Sequence, residues 1–305
     1  MPIITSVVSP PDPGGTPVPL PEIGWATASY TDPSGTVWPL TSPNVGWFTL
    51  ADGVSGLGAA HYELTTDPHP RTIVWPLFVE GSTHGEFLAR WRALATAFTR
   101  TMREGPGILE IARPDGSRRQ IEVFYQEGFE GKDAKGYGVI QDAAVITLFC
   151  EDPYWVDPVQ QLVHREYGTG KDFLAPFPSV SSGQVLGATT VMNTGDVTVW
   201  PTWTITGPAS LITFTRADTG EQFVLDPNAS GVGHGALLAG EQVTVRTDPP
   251  QVRYQDGSNW IGTLNWPGAV LWGLSPGDNQ VTFQLDGSGP GSAVDLVYNP
   301  RYETA

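Results

Sequence analysis

The sequence predicts a mainly β protein of two sandwich domains, the first carrying one amphipathic α-helix. Three observations carry that prediction. Glycine (36 residues) and proline (28 residues) punctuate the chain so often that most uninterrupted runs have the length of a strand. Hydrophobic residues make up 40% and charged residues only 16%, which gives the chain a core to bury and separates it from disordered sequences. One stretch alone, near residues 83–104, repeats its apolar residues at helical spacing. At 305 residues the chain is about twice the ~150 of a single domain, so two domains are expected.

The elements follow in order. From Met1 to Leu20 the Pro- and Gly-rich text, with Ser9-Pro10-Pro11-Asp12-Pro13-Gly14-Gly15 at its centre, reads as an arm or exposed loop. Ala26 to Tyr30 and Thr36 to Leu40 read as strands around the turn Asp32-Pro33-Ser34-Gly35, and Arg71 to Val79 as a third strand. Phe87, Trp91, Leu94, Phe98 and Met102 fall on one helical face, with Thr83 and Glu86 as a capping box and Gly105-Pro106-Gly107 as the stop. Gly107 to Ala112 and Arg119 to Tyr125 flank the turn Arg113-Pro114-Asp115-Gly116-Ser117, and Val139 to Cys150 is another strand. Asp152-Pro153 and Asp157-Pro158 interrupt regular structure. The expected division is therefore 1–160 for the first domain, 161–185 for a transition, and 186–305 for a helix-free sandwich or jelly roll.

Composition narrows the function. Sixteen basic residues against 32 acidic ones give a net charge of −16, which argues against a surface that grips phosphates, so specific nucleic-acid binding is not expected. No run approaches the ~20 apolar residues of a membrane span, and Met1-Pro2-Ile3-Ile4 lacks the regions of a signal peptide, so synthesis in a cytoplasm is expected. The single cysteine, Cys150, closes an apolar strand and reads as core packing, not as a nucleophile. Gly53-Val54-Ser55-Gly56-Leu57 lacks the last glycine of a nucleophile elbow. His61, His69, His84, His164 and His234 are scattered without metal-ligand spacing. Glu151-Asp152 and Asp226 are the carboxylates a glycosidase could use, yet nothing singles out a pair, and Asp152 and Asp157 read as turn initiators before proline. No catalytic, cofactor-binding or metal-binding residue is assigned, and the chain is read as non-enzymatic.

Eleven tryptophans remain to be explained. Trp38, Trp75, Trp200 and Trp266 each precede proline, which favours extended backbone, and strand tryptophans face a core or a subunit contact more readily than a sugar. Sugar stacking on a sandwich stays as the alternative.

Several segments, in order, resemble one family. Val191-Met192-Asn193-Thr194-Gly195-Asp196, Pro201-Thr202-Trp203-Thr204-Ile205-Thr206-Gly207 and Leu274-Ser275-Pro276-Gly277-Asp278-Asn279 are similar to the carboxy-terminal domain of the distal tail proteins of long-tailed phages. Asp32-Pro33-Ser34-Gly35, Trp38-Pro39-Leu40, Gly53 to Gly58, the helix after Val79-Glu80-Gly81, Asp152-Pro153-Tyr154-Trp155 and the closing run Val294 to Tyr302 resemble the family as well. The chain departs from it between Glu63 and Thr72, where the connection is short and proline-rich and related proteins often carry a longer extension. The resemblance implies a virion protein forming a six-membered ring at the end of the tail tube, with a ring-forming first domain and a galectin-like second sandwich whose last strand returns to the first. Its implied partners are other copies of itself, the tail-tube protein and the central tail-tip or baseplate hub protein, with receptor-binding proteins or host glycans at the second domain. DNA would pass through a lumen that an acidic chain does not make adhesive. Ring contacts are expected on the Trp-rich strands of the first domain. The alternative is a carbohydrate-binding module for host-surface glycans, and no cofactor and no membrane contact is implied.

Overall fold

The computed structural model describes residues 27–39, 70–113, 115–129, 139–168 and 185–304. The expected arm of residues 1–20, the stretch Gly53 to Gly58, the connection from Glu63, and His61 and His69 lie outside the described residues. The chain is mainly β, its strands forming three antiparallel sheets, and it divides into two units. One comprises residues 1–158 with 302–305, the other 159–301.

In the first unit the strands are β1 (Thr27–Thr31), β2 (Val37–Pro39), β3 (Arg71–Glu80), β4 (Gly107–Ala112), β5 (Arg118–Glu127), β6 (Gln141–Cys150) and β7 (Trp155–Val156). They run in space as β3-β6-β5-β4-β1-β2, with β7 beside β5 and the terminal pair β17 (Arg301–Tyr302) beyond β7. β5 carries the fold around a corner. Its first half, Arg118–Val123, pairs with β4, while Phe124–Glu127 pairs with β6 across a register shift between Tyr125 and Glu127. Gly128 follows with a φ of 126°, and a Cβ there would stand 2.3 Å from the Val145 carbonyl oxygen, so only glycine lets the two strands approach.

The expected helix forms as α1 (His84–Thr99) and a short α2 (Thr101–Glu104). Thr83 is its N-cap, its hydroxyl accepting the Glu86 N–H at 3.2 Å. The other half of the box is displaced by one residue, because the Glu86 carboxylate accepts the N–H of Ser82 (2.7 Å). Phe87, Leu94, Ala97 and Phe98 are buried, and Trp91 is half-buried. Met102 is a correction to the expected apolar face, being 64% exposed. Thr101 takes its place, its hydroxyl donating to the Phe98 carbonyl and accepting the Tyr125 N–H, both at 2.8 Å. The core gathers these residues with Tyr30, Trp75, Ile146, Leu148, Cys150 and Trp155. Tyr30 stacks on Phe98 at 4.1 Å. Gly107, expected to stop the helix and open the next strand, also makes room for that ring, since a Cβ there would come within 2.3 Å of it.

The second unit is a two-sheet sandwich. One sheet orders β14 (Gln251–Tyr254), β13 (Gln242–Arg246), β10 (Thr202–Thr206), β16 (Ala293–Tyr298) and β8 (Gln161–Glu166). The other orders β12 (Glu221–Leu225), β11 (Leu211–Arg216), β15 (Gly277–Asp286) and β9 (Val185–Asn193). β8 falls in the stretch expected as a transition. It is a strand because it lies in full register along β16, from Gln161 opposite Tyr298 to Glu166 opposite Ala293. Alternation places Trp203, Ile205, Phe214, Phe223, Val281 and Phe283 inside and threonines outside. Trp203 lies at the centre, stacked on Phe214 (4.6 Å) and edge-on to Trp272 (4.9 Å) and Phe283 (5.6 Å).

Candidate functional site

The side chains that could carry chemistry are committed elsewhere. Cys150 is fully buried, and burial pushes its thiol up to about 12, so the thiolate that nucleophilic attack requires does not form near neutrality. Asp152 accepts the Tyr154 N–H (3.1 Å) and Asp226 accepts the Asn228 N–H (2.8 Å), both turn contacts made two residues on. Asp157 pairs with Arg119 at 3.4 Å. The structure gathers no catalytic set from Glu151, Asp152 and Asp226, and the last two serve separate turns in two units. His84 contacts the Val139 carbonyl through Nδ1 at 2.6 Å, and His234 lies tilted against the rings of Tyr254 and Trp260, each at 5.0 Å. His164 is held by Asp295 across β8 and β16 at 2.6 Å, with Glu166 3.7 Å from its other nitrogen. The Asp295 hydrogen bond, aided by Glu166, raises its pKa despite partial desolvation. Among the described residues no group of three or more His, Cys, Asp or Glu side chains is arranged to hold a metal ion.

The residues that carry the family resemblance are architectural. Asp32, in the first turn, has its carboxylate buried and accepts the N–H groups of Ser34 (2.9 Å) and Thr36 (3.0 Å), the Trp38 indole N–H (3.1 Å) and Arg100 Nη1 (2.9 Å). Burial would raise its pKa, but bonds from Ser34, Trp38 and Thr36 and the Arg100 charge outweigh that and hold it below the usual carboxylate range. One side chain thus shapes the β1-β2 hairpin and ties it to the end of α1. In the second unit, Asn193 accepts the Gly195 N–H (2.9 Å) and donates to the carbonyls of Val197 (2.9 Å) and Leu274 (3.0 Å). Asn279 accepts the Ser275 N–H (2.9 Å) and donates to Ser275, Gly277 and Val191 at 2.8, 2.9 and 3.2 Å. Each buried amide closes its own turn and binds the neighbouring segment, which is why Asn-Thr-Gly and Pro-Gly-Asp-Asn occur where they do.

The tryptophans divide accordingly. Trp75, Trp155, Trp203, Trp260 and Trp272 are buried, and Trp38 is half-buried with its indole N–H engaged by Asp32. Trp75 therefore contributes core, not contact surface, on the Trp-rich strand expected to meet another subunit. Trp200 (43% exposed) and Trp266 (53% exposed) present rings to the surface of the second unit. Trp266 sits in a turn, with a cis bond to Pro267. Apolar side chains also lie on the outward face of β3, β6 and β5, where Val74, Phe78, Phe124 and Phe149 are partly exposed and Val145 is 56% exposed. Outward faces of the second unit are instead rich in threonine and glutamine, such as Thr202, Thr204 and Thr206 on β10 and Gln280 and Gln284 on β15. No described helix is long and apolar enough to cross a membrane.

The fold has a counterpart in a phage adsorption-apparatus protein. The Dit protein (gp 19.1) of phage SPP1, described as a paradigm of the hub adsorption apparatus in phages infecting Gram-positive hosts, superposes with a TM-score of 0.54. The match covers 78% of this chain and 81% of that one at 13% identity. Two structures of the phage P2 baseplate in its activated conformation, with calcium and with strontium, give TM-scores of 0.44 and 0.45 at 10% and 11% identity. They cover 92% of this chain and 99% and 100% of theirs. No protein-family model and no curated protein sequence matches the chain. The likeness to the SPP1 protein is one of fold.

Proposed function

We propose that this chain is a non-enzymatic structural subunit of a phage tail tip, one of six in a ring at the distal end of the tail tube. The single observation that carries the reading is the likeness of fold to the SPP1 hub protein over more than three quarters of this chain. The buried Asp32, Asn193 and Asn279 support it, because the motifs that resemble the family are those that build the two units. In this reading the ring joins the tube to the central tail-tip or baseplate protein and, through the second unit, to host-recognition components. The protein is made in the bacterial host cytoplasm and functions in the virion. Light scattering of the purified full-length protein over a range of concentrations tests the ring, with negative-stain images of the same samples. A hexamer, or a monomer and hexamer in equilibrium, supports it. A strict monomer that also fails to form rings on isolated tail tubes overturns it.

Trp200 and Trp266 favour glycan stacking as a second reading, since both rings are open to solvent. A glycan array probed with the full-length protein and with Trp266→Ala tests it. Binding lost at least ~10-fold in the variant supports sugar stacking, the size expected for one stacked ring; no binding by either protein removes it.

A further inference from the structure

The two ends of the first unit's strand path are β3 and β2, and the register shows which backbone groups each leaves outward. The Gly81 N–H donates to the Ile140 carbonyl (2.7 Å), so the odd-numbered residues of β3 face β6 and Thr72, Val74, Pro76, Phe78 and Glu80 face away. On β2, the Asp32 N–H donates to the Thr36 carbonyl (3.0 Å), so Thr36 and Trp38 face β1 while Val37 and Pro39 face away. Each outer edge therefore carries a proline at a position whose N–H would have pointed outward. Proline has no N–H to give, and at either site it costs the internal ladder nothing. The Glu80 carbonyl, at the end of the β3 edge, is already taken by Arg90 Nη1.

Two of the four sheet edges in the second unit, β12 and β14, are closed by other means. Along β12, Val270 donates to the Gln222 carbonyl (2.9 Å), Asn265 exchanges bonds with Val224, and Asp226 donates to Thr263 (2.9 Å). Along β14, Trp260 donates to Val252 (2.8 Å) and Tyr254 to Ser258 (3.1 Å). Loops of the same chain cover those edges, whereas among the described residues no strand lies beyond β2 or β3.

We propose that Pro39 and Pro76 block strand addition between copies of this chain at the β2 and β3 edges of the first unit's sheet, so that copies do not extend that sheet at either edge. An uncovered strand edge is a template for open-ended, head-to-tail growth, and a missing donor along it interrupts the ladder that such growth needs. The inference stands apart from the tail-tip reading, since it concerns how copies can meet and not whether six of them close a ring.

The test compares the full-length protein with Pro39→Val, Pro76→Val and the double variant, and with Pro106→Ala as a proline outside any strand. Light scattering should show the double variant growing with concentration to several-fold the wild-type mass, with Pro106→Ala unchanged. A double variant that keeps the wild-type circular dichroism and the wild-type mass overturns the proposal. Should the variants misfold, hydrogen exchange on the wild type decides. The amides of Val37, Thr72, Val74 and Phe78 are expected to exchange without protection at every concentration, and protection of them overturns it.

Discussion

At the residue scale, Asp32, Asn193 and Asn279 act as structural fasteners, and Asp32 shows how much depends on one. Replacing it with alanine leaves the Trp38 indole without its acceptor and Arg100 Nη1 with the Ser34 hydroxyl alone, and a loss of about 3 kcal/mol from the first unit is expected, readable by urea denaturation. Its folded pKa lies below the ordinary value, so its stabilisation is complete above about pH 4 and is lost as pH falls towards the folded pKa. The first unit of the wild type should weaken on acidification over that window more than that of Asp32→Asn. His164 has the opposite sign. Its pKa is raised, so the contact with Asp295 is strongest below about pH 6.5 and fades as pH rises through the folded value. Proton NMR should find His164 titrating above a free histidine, and Asp295→Asn should return it most of the way.

At the scale of elements, the cap of α1 offers the cleanest perturbation. Thr83→Ala removes the acceptor of the Glu86 N–H and should cost about 1 kcal/mol, measured as a drop in Tm, while Ser82 still holds the Glu86 carboxylate. Most of these elements were legible in the sequence because their signals are local. Asp32-Pro33-Ser34-Gly35, Arg113 to Ser117 and the Thr83 cap announce turn and helix through residues that bond within four positions of themselves. Met102 was misplaced because helical spacing cannot know that Thr101 would be claimed by Tyr125, 24 residues on. β8 was missed for a related reason. Gln161 to Glu166 is polar or exposed at most positions, and its partner β16 lies more than a hundred residues away. The architectural roles of Asn193 and Asn279 were visible only as resemblance, since their bonds to Leu274 and Val191 span 81 and 88 residues.

At the scale of the whole molecule, the first unit is discontinuous in sequence. Residues 302–305 belong to it although residues 159–301 form the second. Their grip is specific: Arg119 lies 3.5 Å over the Tyr302 ring, and Arg71 donates to the Glu303 carbonyl at 2.8 Å. Deleting residues 302–305 should lower the stability of the first unit by about 2 kcal/mol. In calorimetry, one transition should move down and the other stay in place. The same arrangement sets an order of events during synthesis. Tyr302 and Glu303 leave the ribosome after every residue of the second unit, so the first unit, begun first, is completed last. Until then Arg71 and Arg119 wait without these contacts, and the second sandwich has its whole sequence available to fold before the first is fastened shut.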